Sequence, residues 1–211
     1  MGPSDFLLLA VLGFVGFRLF DVARASVQGR AHVLELVGGL RVRHFVLAVP
    51  ALVGVVGTAS LLYQIPLMRF GWWSAIGGQG NPILGVTSTE STSQLPFLDL
   101  LPVVFVSLLI LGLPLLVEGE EHVFRRGAET RSRPQNALRA LVFGLSHALI
   151  GVPLAAATAL AVGGVYLTAA YLWAWRKTGS ATAALAESTR AHLAYNVVIV
   201  GIVGALLLLG F

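Results

Sequence analysis

Leu113-Pro-Leu-Leu-Val-Glu-Gly-Glu-Glu-His-Val-Phe-Arg-Arg126 sets two adjacent carboxylates, Glu120 and Glu121, at the end of an apolar run. A charged side chain at the centre of a bilayer costs roughly 2.5–3.5 kcal/mol on insertion scales, so such residues in a membrane segment mark function. Two further polar pairs follow on later apolar runs, Phe143-Gly-Leu-Ser-His147 and His192-Leu-Ala-Tyr-Asn196. The surroundings suit hydrocarbon. The 211 residues are 56% hydrophobic and 11% charged, against about 25% charged in soluble domains, and the mean hydropathy is +0.84.

Six apolar segments are read, at about 5–20, 44–64, 98–126, 136–150, 153–175 and 181–209. Several approach the ~20 residues a helix needs to cross the hydrocarbon. The expected fold is therefore all-α: a polytopic membrane protein of about six transmembrane helices. The first segment lacks a positive region before it and is followed by arginines. A cleavable signal peptide has the opposite order, so a retained first helix is expected. Basic residues test the parse. Of 14 Lys and Arg, all but Arg69 fall on one set of connections or at the helix ends beside them. Positive charge marks the cytoplasmic side, which places both termini outside in a multi-pass protein of the cell membrane. The net charge of +4 thus reads as a topology signal. No clustered basic face points to nucleic acid, so the expected partners are membrane lipid and a membrane-associated peptide or protein. The chain has no cysteine, which removes disulfides, thiolate metal sites and a cysteine nucleophile. The long outer connection, about 65–97, is rich in Gly, Ser and Thr and is expected to be flexible; a substrate-gating role is its functional alternative. Trp72 and Trp73 suit an interfacial belt.

Spacing brings the polar groups to one level. Glu120 lies 13 residues before Arg133, His147 lies 13 after Pro134, and His192 lies 13 beyond Gly179. If the helices run as antiparallel neighbours, all three sit roughly 10–15 Å below the cytoplasmic ends at 1.5 Å per residue. Within each pair the i,i+4 spacing puts Phe143 with His147, and His192 with Asn196, on one helix face. Glu121 and Arg125 share that spacing and form an ion pair, which leaves Glu120 to face a cavity. Glu118 is expected in the Arg125 network, His32 and His44 at the membrane interface, and His122 in a structural role. These groups suit activation of a water: a base takes its proton, and fixed donors hold the oxyanion that forms. Glu120 and His147 would hold the water; His192 and Asn196 would supply the donors. No His-Glu-x-x-His motif and no Gly-x-Ser-x-Gly elbow is present. A zinc ion on Glu120, His147 and His192 is chemically allowed, but no metal or other cofactor is expected.

Taken together, Glu120-Glu121-x-x-x-Arg125, Phe143-x-x-x-His147 and His192-x-x-x-Asn196 resemble the CPBP family of intramembrane proteases, which holds type II CAAX prenyl endopeptidases, Abi proteins and bacteriocin-processing or immunity proteins. The three motifs match in order and spacing across about 98–209. The resemblance implies a catalytic helical core of four helices over 98–211, with 1–97 adding two transmembrane helices and the outer loop. It implies a glutamate-type endopeptidase in which Glu120 and His147 activate water, His192 and Asn196 form the oxyanion hole, and Glu121, Arg125 and Phe143 shape the site. It does not imply prenylated substrates. One departure is Arg126, where the family has glycine; Gly127 follows one residue later. The rival expectations are a catalytically silent membrane scaffold or immunity protein of the same fold, and a small transporter, although no internal repeat of the transporter kind is visible.

Overall fold

A computed structural model of the chain describes residues 3–72 and 101–208. Trp73 and most of the outer connection, with the gating role considered for it, lie outside the described residues. Seven α-helices are described: α1 (Pro3–Gln28), α2 (Arg30–Gly38), α3 (Val42–Leu62), α4 (Leu101–Phe124), α5 (Arg133–Ser146), α6 (Leu154–Thr178) and α7 (Ala181–Leu208). Among the described residues there is no strand. The fold is all-helical, and each of the six apolar segments corresponds to one helix. Two of these, α3 and α6, are long and apolar enough to cross a membrane. At 14 residues, α5 is shorter than the ~20 a perpendicular span requires.

The seventh helix, α2, falls in what reads as a polar connection. Its nine residues are too few for a periodic signal, and it buries only Leu36. Gly29 and Gly39 bracket it. The helix boundaries have local causes. Ser132 and Gln135 form a reciprocal capping box that starts α5, with the Ser132 N–H donating to Gln135 Oε1 at 2.9 Å. At the C-terminal end of α6, Gly179 adopts φ +65°, a left-handed conformation that glycine takes without penalty. The turn into α7 follows directly.

Helix α6 is the centre of the assembly: α3, α5 and α7 all pack against it, while α4 lies between α1 and α7. Small residues make this possible. Ala155, Ala157, Ala159, Gly163 and Gly164 of α6 are all buried. A Cβ on Gly144 of α5 would strike the backbone of α6 at Ala157 and Ala161, and one on Gly164 would strike Ala140. Helices α5 and α6 therefore touch backbone to backbone, the kind of approach small residues permit between membrane helices. That contact fixes where α5 presents Phe143 and His147.

Candidate functional site

The site is built where the last turn of α4, the end of α5 and the middle of α7 meet. Glu121 and Arg125 are fully buried. Arg125 Nη1 stands 3.4 Å from Glu121 Oε1, and the Nδ1–H of His192 donates to the same oxygen at 2.9 Å. The Arg125 guanidinium also lies 4.0 Å over the ring of Phe143, a cation–π contact strengthened by desolvation. Phe143 meets Phe124, His147 and His192 edge-on, with ring centroids 5.3, 5.1 and 5.6 Å apart. One aromatic ring is thus the common neighbour of side chains from three helical segments.

Around this buried centre stand groups with free chemical capacity. Glu120 keeps 37% of its side chain exposed, and its Oε2 lies 3.6 Å from His192 Nε2. His147 opens the 3₁₀ turn His147–Ile150 that follows α5. Its Nδ1 is 2.9 Å from the carbonyl of Phe143. A carbonyl only accepts, so Nδ1 carries a proton, and in the neutral ring Nε2 presents a lone pair. His192 follows the same logic with another result. Its Nδ1–H is committed to Glu121, so Nε2 donates only when the ring is an imidazolium. In that form the cluster of Glu120, Glu121, Arg125 and His192 is neutral overall. Asn196 lies one turn beyond His192 on α7, half-buried and without a hydrogen bond among the described residues.

The structure brings together Glu120, Glu121, Arg125, Phe143, His147 and His192 around this centre. Among the described residues no three His, Asp or Glu side chains are grouped to hold a metal ion, so Glu120, His147 and His192 are not gathered as a ligand set. Glu120 and His147 are not equidistant from the facing ends of their helices. Glu120 lies about 6 Å before the end of α4, whereas His147 follows some 21 Å of α5, at 1.5 Å per residue. The two helices are not packed side by side along their length. Residues 125–132 form a wired connector: Arg131 donates to the Phe124 carbonyl at 2.9 Å, Asn136 to the Ala128 carbonyl at 2.9 Å, and the Tyr171 hydroxyl to Glu129 at 2.8 Å. From there α5 runs along α6 and meets α4 around Phe124 and Phe143.

Two other placements differ from expectation. Glu118 does not join Arg125; its carboxylate pairs with His32 of α2 at 2.9 Å. His44 is buried rather than interfacial: its Nδ1 accepts from the Arg41 N–H at 2.9 Å and caps α3, and its Nε2 lies 3.1 Å from Glu187. His122 is exposed. Trp72 donates to the Leu149 carbonyl at 3.2 Å. Sequence reading missed Ser188, which is fully buried one turn before His192. The signal was available, because Ser188, His192 and Asn196 recur at i, i+4 and i+8 along one face of α7. No protein-family model, no curated protein and no solved structure matches this chain.

Proposed function

We propose that this chain is a multi-pass membrane endopeptidase, similar to the CPBP family, that hydrolyses a peptide bond in a membrane-associated protein or peptide. The observation that carries the reading is the convergence of its three polar motifs on Phe143. In the proposed reaction Glu120 and His147 hold one water and take its proton as the oxygen attacks the scissile carbonyl. The tetrahedral oxyanion accepts from the Nε2–H of the His192 imidazolium and from the Asn196 amide. As the intermediate collapses, the C–N bond breaks and the proton held by the base passes to the leaving amine. Glu121 and Arg125 orient His192 and do not touch the reacting atoms.

A membrane setting is supported by α3. This helix has a mean hydropathy of 2.2, yet only 11% of its most apolar window is buried, and Val46, Val53 and Val56 point outward. A core helix of a soluble protein would bury that face. We read six spans, with the basic connections toward the cytoplasm and both termini outside.

The test uses the full chain reconstituted in lipid, with substrates identified by comparing membrane proteomes that contain the active or the inactive protein. Glu120→Ala and His147→Ala are each expected to abolish cleavage while the folded protein is retained. Cleavage above background by Glu120→Ala would reject the proposed base. Cellular function unaltered by either change would point to a silent scaffold. Activity that survives exhaustive chelation would rule out a zinc-dependent step.

A further inference from the structure

On the other side of α7 lies a cavity of about 360 Å³, lined chiefly by Arg41, Arg43, Trp173, Lys177, Glu187 and Arg190. Four cations meet one carboxylate there. Glu187 is already engaged: Arg43 Nη2 donates to both its oxygens at 2.8 and 3.0 Å, and His44 Nε2 is 3.1 Å away. Arg41, Lys177 and Arg190 are left as an uncompensated positive excess. Their separation in sequence shows that the fold assembles the group, from the start of α3, the end of α6 and the third turn of α7.

The cations are also held in place. Lys177 Nζ lies 3.9 Å and Arg43 Cζ 4.8 Å from the centre of the Trp173 ring. The Arg190 guanidinium rests against the backbone of Gly39, in the space a Cβ would occupy. Its Nε is buried without a hydrogen-bond partner among the described residues. A diffuse basic surface would leave such side chains free in solvent. Here stacking on Trp173 holds Arg43 and Lys177, and contact with Gly39 holds Arg190, along the wall of one concavity, where like charges repel until an anion enters. Guanidinium forks match the oxygens of a phosphate, and an ammonium adds a point charge.

We propose that this cavity binds a phosphate group. It comes either from a phospholipid headgroup of the basic-side leaflet, where such pockets between helices suit anionic lipids, or from free phosphate. The lipid source rests on the membrane reading; the phosphate chemistry does not. Binding, not cleavage, is the readout, so the two proposals fail separately.

The experiment titrates the full chain in a phosphate-free maltoside detergent at 150 mM salt. The probes are inorganic phosphate and, separately, dihexanoyl phosphatidylglycerol below its micellar concentration. Saturable binding of one equivalent is expected. If inorganic phosphate saturates alone, the ligand is free phosphate; if only the lipid does, it is a headgroup. Arg190→Gln is expected to weaken binding at least tenfold. Gly39→Ala is expected to do the same by displacing Arg190, although the net charge is unchanged. Lys177→Gln, at the exposed end of α6, is expected to weaken binding severalfold and provides the reading if Gly39→Ala does not fold. The proposal is overturned if neither probe saturates, or if the folded variants bind as tightly as the parent chain.

Discussion

Two Glu–His–Arg clusters flank α7, and they differ in what they leave unspent. Glu187 and His192 are five residues apart, which places them about 140° apart around the helix. In the first cluster Glu187 is shared between Arg43 and His44, and His44 has both ring nitrogens occupied. In the second, Glu121 is shared between Arg125 and His192, but a second carboxylate, Glu120, stands beside it. His147 adds a ring nitrogen with no partner among the described residues. Residue types alone do not separate the two. The difference lies in spare capacity: a cluster whose carboxylate is fully engaged ties helices together, whereas one with a part-exposed second carboxylate and an imidazole nitrogen without a partner among the described residues can move a proton.

That contrast is sharpened by variants that act on one cluster at a time. The largest stability effect is expected from Arg125→Leu. Removing one partner of a buried ion pair leaves the other charge uncompensated at a cost of about 3–5 kcal/mol. Thermal unfolding in detergent should show it, and a melting point unchanged from the parent would mean that the pair is not structural. Gly144→Ala comes next. Its Cβ would meet the α6 backbone, and overpacking of this kind costs about 1–3 kcal/mol. Cleavage should fall with it, because α5 can no longer present His147 where α6 holds it.

A smaller effect is expected in the first cluster. His44→Gln, which can keep the cap as Gln135 does at α5, should lower stability by about 1 kcal/mol through the weakened contact with Glu187. Cleavage should stay within about twofold of the parent, because His44 shares no partner with the residues around Phe143 and effects at separate sites are independent to within about 0.5 kcal/mol. A large loss of cleavage with stability intact would erase the distinction between the clusters. The smallest effect belongs to His32→Ala. The His32–Glu118 pair is half exposed on the His32 side, and pairs of that kind contribute about 0–1 kcal/mol.

Much of the secondary structure was legible beforehand. Apolar runs marked six helices because a helix packed against its neighbours or against an apolar solvent carries apolar residues along its buried face. The pairing of Glu121 with Arg125 followed from their spacing, and so did the shared face of Phe143 and His147. Illegible features were those without a local signature. Helix α2 is too short to show a period. Glu118 was expected beside Arg125, seven residues on, and only the approach of α2 to α4 gives it His32 instead. Glu187 carries no motif at all, since its partners lie more than 140 residues away in the chain.

By itself the sequence determined the helical class, the positions of the apolar segments, the asymmetry of its basic residues and the pairings that lie one turn apart. These are properties of a single helix, set by the 3.6-residue repeat and by the solvent preference of each side chain. The tertiary structure alone decided which helices are neighbours and at what height they meet. Gly144 and Gly164 let α5 lie against α6 rather than along α4, and the wired connector after Phe124 carries the chain between them. Contacts between helices depend on close complementarity of small residues far apart in the chain, and no single segment contains that information.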